Sequence, residues 1–259
     1  MACAIELVDL RMQYKTDGKW ILNGVNLSVS PGQVVGYIGP NGAGKSTTVK
    51  IILGMLTNYS GKVSIFGEDI KSNPIDYKSR IGYVPELANL YDSLTGREYL
   101  NFVGKLYNLS DKSISDKSFE LFKLFGIEDA LNSRIASYSK GMKQKLMIIA
   151  SMMHNPEILF LDEPITGLDA NAVMIFKSLL KKLSEKGKTV FYSSHIMEVV
   201  EKISDRIIVL NDGIVVADGH FEELKASEHQ ESLQDIFNQL TGFHEHDNIA
   251  EAMVNVITE

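Results

Sequence analysis

The chain has few cysteines, no long apolar run and no signal-peptide pattern. Cys3 is the single cysteine among 259 residues, which excludes an internal disulfide framework and is typical of a reducing compartment. No apolar run is long enough to span a bilayer, since the longest extends only from about residue 146 to residue 153. The amino terminus also lacks the pattern of a signal peptide. We therefore expect a chain that does not cross a membrane by itself.

Basic residues are a minority as well. The chain carries 26 Lys and Arg against 33 Asp and Glu, a net charge of −7. Residues 221–259 hold nine of these acids and a single lysine, so acidity belongs to the carboxy-terminal segment and the remainder is close to neutral. No basic arm or face of the kind that binds nucleic acid is indicated, and we expect no nucleic-acid partner.

The most specific pattern present is a glycine-rich stretch that fits G-x-x-x-x-G-K-[ST], the phosphate-binding P-loop. An apolar run at residues 34–38 precedes it, as expected of a buried strand, and a helical pattern follows. Glycines let successive backbone N–H groups turn toward a phosphate, Lys45 would reach the β- and γ-phosphates, and the Ser46 hydroxyl would bind Mg²⁺. The predicted nucleotide-binding residues are Gly39, Asn41, Gly42, Ala43, Gly44, Lys45, Ser46 and Thr47.

Two carboxylates follow a second apolar run at residues 158–161. Parallel strands deliver polar groups at their carboxyl ends, which is where doubly wound folds bind ligands. Asp162 would hold Mg²⁺ directly or through water, and Glu163, one residue further, would polarise the attacking water. An ordinary strand exit with solvated acids is the alternative reading, and the P-loop upstream argues against it.

The order of the patterns predicts an α/β P-loop NTPase. Short apolar runs alternate with helical patterns along most of the chain, which predicts a mainly parallel core sheet with helices on both faces. Alternating strands near the amino terminus predict a small antiparallel β subdomain. Residues 87–155 read as an inserted helical lobe. We expect residues 1–225 to form the nucleotide-binding domain and residues 226–259 an acidic helical tail.

A third pattern lies just before the acidic strand, where Ser139 and Gly141 begin a predicted helix. With it, the stretch from residue 5 to residue 223 resembles the ATP-binding subunit of ATP-binding cassette (ABC) transporters. Residues 139–144 are similar to the family's signature, and residues 166–169, ending in Asp169, are similar to its D-loop. His195 resembles the switch histidine, and Tyr14 the aromatic residue that stacks on adenine.

The resemblance implies ATP hydrolysis by a head-to-tail pair of subunits. The signature of one subunit, through Ser139 and Gly141, would close on the nucleotide held by Lys45 of the other. Glu163 would orient or deprotonate the water, His195 would align water and γ-phosphate, and Asp169 would bridge the subunits. ATP and Mg²⁺ are the implied cofactors. The second ATP-binding subunit would be another copy of this chain or a different chain.

Two departures from the family pattern point to one branch of it. Glu86 stands where the family usually has a glutamine, and its carboxylate would still bind Mg²⁺. The signature has Tyr138, Lys140 and Met142 where the common form has Leu, Gly and Gln. Both departures resemble exporters whose integral membrane permease is a separate chain. The resemblance implies such a permease as partner and a place at the cytoplasmic face of the membrane. A soluble ABC ATPase acting on nucleic acid or ribosomes, and a metabolic P-loop kinase, are the alternatives.

Overall fold

A six-stranded sheet forms the centre of the computed structural model, which describes residues 3–15, 18–242 and 253–258. Its neighbours are parallel except for the antiparallel edge pair β9–β10. Strands β3, β7 and β8 are buried at every position, which explains their unbroken apolar runs. In spatial order the strands are β10 (Ile214–Gly219), β9 (Arg206–Asn211), β3 (Val34–Ile38), β8 (Thr189–Ser193), β7 (Ile158–Asp162) and β6 (Ile81–Val84).

A smaller antiparallel sheet lies against the centre. Its strands, in spatial order, are β2 (Leu22–Val29), β1 (Ile5–Met12), β4 (Ser60–Ile65) and β5 (Glu68–Asp69). The inward side chains of β1 and β2 share a core with Val35 and Tyr37 of β3 and with Ile51 of the first helix. The predicted combination of a mainly parallel core sheet and a small antiparallel β subdomain is confirmed.

Helices cover the rest of the central sheet. The first, α1, follows β3 directly through the P-loop. Helices α3 to α5 all come between β6 and β7, which are adjacent in the sheet, so they form an insertion beside it. The bounds are α1 (Lys45–Ile52), α2 (Asp76–Ser79), α3 (Gly96–Leu106), α4 (Asp111–Leu124), α5 (Lys140–Met152), α6 (Ala170–Glu185), α7 (Met197–Ile203), α8 (Phe221–Glu228) and α9 (Leu233–Thr241).

The carboxy-terminal helices pack on the body of the protein. Leu233 and Ile236 of α9 are fully buried in the main core, so this part of the carboxy-terminal segment packs against its own chain. The expected end of the nucleotide-binding domain at residue 225 falls inside α8. Residues 253–258 are helical and exposed, while the other tail residues, 243–252 and 259, lie outside the described residues.

No helix in the described part of the chain combines the length and the apolar character needed to cross a membrane. Because parallel strands of one sheet end at the same edge, the residues that follow β3, β7 and β8 meet there. These are the P-loop, the two acids after β7 and the serine–histidine segment after β8. The fold thus brings the P-loop, the two acids and His195 to one edge of the sheet.

Candidate functional site

The backbone of the P-loop requires glycine, at some positions because of its conformation and at others because of lack of space. Gly42 and Gly44 have φ of +83° and +108°, in the left-handed region that favours glycine. A Cβ atom at Gly39 would stand 2.2 Å from the carbonyl oxygen of Leu210. A hydrogen bond of 3.1 Å from the Ala43 N–H to the Pro40 carbonyl closes the loop. The loop is therefore a fixed cradle at the N-terminus of α1.

The start of α1 is arranged for an anion. No side chain caps this helix end and its first turn has no acidic residue, so its N–H groups remain available. The Lys45 ammonium donates hydrogen bonds to the carbonyls of Gly39 at 2.6 Å and Pro40 at 3.1 Å. Burial lowers the pKa of Lys45. Three carboxylates oppose that shift: those of Asp162, Glu163 and Glu86.

The carboxylate of Asp162 sits at the buried end of β7. Asp162 pairs in register with Ser193, the last residue of β8. The Ser193 hydroxyl donates a hydrogen bond to the Asp162 carboxylate, and both residues are buried. The neighbouring strand therefore holds this carboxylate in place, near enough to the P-loop lysine to oppose the lowering of the pKa of Lys45 by burial.

Glu163 occupies a strained position beside the histidine. Its φ is +48°, a left-handed conformation that costs a non-glycine residue roughly 1–2 kcal/mol. The Glu163 carboxylate accepts a hydrogen bond of 3.1 Å from the Ser194 hydroxyl, and its second oxygen lies 2.8 Å from His195 Nδ1. The Glu163 side chain is 12% exposed while that of His195 is 75% exposed. The structure thus brings the two predicted catalytic residues into direct contact.

The other predicted metal-binding and base-binding residues also lie near this edge. Glu86 lines a cleft of 480 Å³ together with Glu163 and His195. Ser46 is the second residue of α1 and half-buried. Tyr14 is 60% exposed, and its hydroxyl lies 3.4 Å from Thr47 Oγ1, so the ring stands over the start of α1. It shares a depression of 300 Å³ with Trp20, another exposed aromatic.

The oxygen donors in this region suit Mg²⁺. They are two carboxylates and a hydroxyl, from Asp162, Glu86 and Ser46. The described residues contain no group of three or more His, Cys, Asp or Glu side chains that could hold a metal alone. Mg²⁺ usually keeps waters and takes one or two carboxylates plus substrate phosphates, so a sparse donor set fits it.

Ser139 and Gly141 lie at the N-terminus of α5, and they make no hydrogen bond to the P-loop among the described residues. The Ser139 hydroxyl accepts from the Met142 N–H at 3.2 Å, and the first turn has no acidic residue. A Cβ atom at Gly141 would stand 2.7 Å from the Gly167 carbonyl oxygen. The Ser139 hydroxyl is thus used within its own helix, and Tyr138 and Lys140 beside it line the cleft that contains Glu163 and His195.

Asp169 caps helix α6. It accepts a hydrogen bond of 2.9 Å from the Ala172 N–H and forms an ion pair of 3.5 Å with Lys145. The hydrogen bond from Ala172, followed by the attraction of Lys145, lowers the pKa of Asp169. The side chain remains 62% exposed and is accessible to a partner.

Sequence reasoning missed three residues that organise this site. Ser193 and Ser194 orient the two acids, and their signal was two hydroxyl residues directly after an apolar strand. Gln144 is buried, and its Nε2 donates a hydrogen bond of 2.8 Å to the Pro164 carbonyl. The sequence placed Gln144 within residues 139–144, which are similar to the signature, but gave it no role of its own.

Comparisons with known proteins agree with this arrangement. Residues 22–166 match the family described as ABC transporter. The ABC transporter ATP-binding protein NatA of Bacillus subtilis (strain 168) is 37% identical over 236 residues, which are 90% of this chain and 96% of NatA. The Nod factor export ATP-binding protein I of Rhizobium meliloti (strain 1021) is 35% identical over 216 residues, 83% of this chain and 64% of that protein.

Two solved structures have the same fold. One, described as the structure of the ATP binding subunit of an ABC transporter, aligns with a TM-score of 0.86 at 33% identity. It covers 92% of this chain and 99% of that one. The other is a dimeric, post-hydrolysis ATP-binding cassette bound to ADP and Pi, with a TM-score of 0.76 at 29% identity. It covers 83% of this chain and 98% of that one.

Proposed function

Because this chain belongs to the ABC transporter family, as an ATP-binding subunit that binds and hydrolyses ATP, we propose that it powers export through a separate permease. The name of the Nod factor relative supports the direction of transport. So do the two departures from the family pattern, Glu86 and the altered signature. The alternative of a soluble ATPase acting on nucleic acid or ribosomes gains no support from the relatives reported above.

One observation carries the catalytic part of the proposal. Lys45, Asp162, Glu163 and His195 converge on the edge of the sheet where the P-loop cradle lies. Lys45 would leave its two backbone carbonyls to bind the β- and γ-phosphates of ATP. The Glu163 carboxylate would hold the attacking water and accept its proton, while His195 fixes that carboxylate and contacts the γ-phosphate. ADP and phosphate are the products.

Mg²⁺ would be held by Ser46 and Asp162, with Glu86 as a further donor. When bound, it would neutralise charge that develops on the phosphates. The Ser193 hydroxyl would keep the Asp162 carboxylate aimed at this position. Tyr14 would stack on the adenine ring, because its exposed face stands beside the start of α1.

The remaining predicted residues serve a second ATP-binding subunit. Ser139 and Gly141 present free N–H groups at a helix end that their own P-loop does not use. We propose that they bind the γ-phosphate of ATP held by a partner subunit, with Asp169 exposed at the shared interface. The dimeric cassette with ADP and Pi supports this arrangement. The partner would be a second copy of this chain or a different ATP-binding chain.

A groove between the inserted helices and the core sheet would receive the permease. It has a volume of 330 Å³ and lies beside the segment that carries Glu86. Exposed apolar side chains nearby, including Leu87, Tyr91 and Phe102, extend this surface. Residues lining the groove include Leu53, Tyr83, Tyr99, Val103 and Met147. Docking there would hold the subunit at the cytoplasmic face of the membrane.

We also propose the division of the chain that the sequence predicts. Residues 1–225 would form the nucleotide-binding domain, with residues 87–155 as its helical lobe. Residues 226–259 would form an acidic tail. The burial of α9 on α7 and β9 would fasten the first part of this tail to the domain.

Glu163→Gln tests the proposed function. The amide keeps the size of the side chain and cannot accept the proton of water, so we expect kcat for ATP hydrolysis to fall at least about 100-fold. ATP should also trap the variant as a dimer, measured by size-exclusion chromatography with light scattering. Unchanged hydrolysis would remove Glu163 from the mechanism, and a variant that stays monomeric with ATP would contradict the paired arrangement.

A further inference from the structure

Gln144 joins helix α5 to the segment that follows the catalytic carboxylate. The side chain is only 4% exposed, and its Nε2 donates to the Pro164 carbonyl at 2.8 Å. Proline has no N–H, so this carbonyl is the one backbone group that Pro164 offers to a hydrogen bond. Pro164 directly follows Glu163. The contact therefore acts on the backbone that carries the catalytic side chain.

The backbone at Glu163 needs such support. Its φ of +48° is unfavourable for any residue with a side chain, and a following proline restricts it further. The Glu163 N–H donates to the Ser193 carbonyl at 3.0 Å, and the Glu163 carbonyl accepts from the Thr166 N–H at 3.2 Å. Gln144 of helix α5 supplies a third hydrogen bond, to the adjoining carbonyl of Pro164. A strained conformation persists only when its surroundings determine it.

One face of α5 makes this hydrogen bond and two further contacts with the segment that follows Glu163. Residues 141, 144 and 145 lie three and four positions apart, so they share a side of the helix. Gly141 packs on the Gly167 carbonyl, and Lys145 pairs with Asp169 at 3.5 Å. Helix α5, which Ser139 caps, thus contacts this segment at residues 164, 167 and 169.

We infer that Gln144 is a positioning residue, which holds the Glu163 carboxylate in its catalytic orientation through the Pro164 carbonyl. This rests on the proposed function, in which Glu163 acts on the attacking water. Gln144 touches neither ATP nor water in this role. Its loss should slow the chemical step and leave untouched the binding of ATP by the P-loop and the pairing of subunits through Ser139.

Gln144→Met is the matched perturbation, because methionine has a similar length and volume and donates no hydrogen bond. We expect kcat for ATP hydrolysis to fall about tenfold, the effect of losing one buried hydrogen bond in the transition state. The KM for ATP should stay within about twofold of the wild-type value. Gln144→Glu, whose ionised carboxylate faces the carbonyl, should lower kcat further.

Ser184→Ala is the control. It also removes a side-chain hydrogen bond to a backbone carbonyl, 2.7 Å long and made to Gly32, away from the site. It should leave kcat unchanged. If Gln144→Met and Ser184→Ala lower kcat equally, or if Gln144→Met retains the wild-type kcat, the inference is wrong.

A double-mutant cycle separates this role from damage to the helix end at Ser139. If Gln144 acts through Glu163, adding Gln144→Met to the Glu163→Gln variant should cause no further loss in single-turnover hydrolysis. The double variant should also dimerise at the same ATP concentration as Glu163→Gln alone. A further tenfold loss, or weaker dimerisation, would show that Gln144 acts by another route. A wild-type chain that fails to hydrolyse ATP would instead refute the proposed function, and this inference with it.

Discussion

The hydrogen bond between Ser193 and Asp162 gives a prediction whose size follows from the structure. The two residues are paired across β7 and β8, and they are 2% and 9% exposed. Replacement of Ser193 by alanine removes the hydroxyl that donates to the Asp162 carboxylate. A buried carboxylate that loses its donor keeps the cost of desolvation without the compensating bond, so the fold should lose stability.

The expected loss of stability follows from the charge of the acceptor, the Asp162 carboxylate. Hydrogen bonds to charged groups contribute about 1.5–3 kcal/mol, and the removal of one oxygen leaves a negligible cavity. For a protein of this size each kcal/mol changes Tm by about 2–4 °C, so Ser193→Ala should unfold about 3–12 °C lower. Circular dichroism during heating, with nucleotide and Mg²⁺ left out of the buffer, would measure the difference.

Ser184→Ala is again the suitable control, since the Ser184 hydroxyl donates to a neutral carbonyl. Neutral hydrogen bonds contribute about 0.5–1.5 kcal/mol, so the shift in Tm should be smaller. A Ser193→Ala protein that melts with the wild type, or above Ser184→Ala, would refute the reasoning. The Asp162 carboxylate would then be adequately solvated without its strand neighbour.

Three further changes have expected outcomes. Tyr14→Ala should raise the Kd for ATP about tenfold by removing a stacking face, and Tyr14→Phe should not, as measured by nucleotide titration. Gly141→Ala places a Cβ atom 2.7 Å from the Gly167 oxygen and should reduce ATP-driven dimerisation, seen by light scattering, without weakening ATP binding to the monomer. Burial lowers the pKa of His154 below its unfolded value of about 6.5. The unfolded chain therefore binds the proton first, so stability should fall as pH drops below about 6.5. Urea unfolding of His154→Gln should lack this component.

Much of the fold could be predicted because its strands are simple patterns. The apolar run at residues 34–38 coincides with β3, and the run at residues 158–161 lies within β7. The predictions were less accurate at the ends of the antiparallel strands. Alternation predicts strands at residues 4–10 and 25–29, but β1 runs to Met12 and β2 begins at Leu22, because backbone pairing across the hairpin continues past the predicted ends. Pairing of this kind depends on the partner strand and leaves no signal in either segment alone.

Within the site, the sequence identified the functional residues but not the hydrogen bonds that hold them in place. Lys45, Asp162 and Glu163 are identified by short motifs, because each motif is a local stretch of chain. The hydroxyl of Ser193 reaches Asp162 only because β7 and β8 are neighbours, and sequence does not give the order of strands. The hydrogen bond from Gln144 to Pro164 depends on how α5 packs beside the end of β7. Neither segment alone reveals that packing.

The proposed pairing of two subunits also explains why a single chain would hydrolyse ATP poorly. Glu163 and His195 are already in contact beside the P-loop, so the groups that act on water need no partner to assemble. In the proposed pairing, one chain alone lacks positive potential on the open side of the γ-phosphate. A second subunit would supply the helix end at Ser139 and exclude water together, and both effects strengthen electrostatic stabilisation of the transition state. Hydrolysis would then remove the phosphate that both subunits share. Helix α5, which Ser139 caps, is linked to the backbone next to Glu163 through the hydrogen bond from Gln144 to Pro164. Separation of the subunits at Ser139 would therefore also change the position of the Glu163 carboxylate.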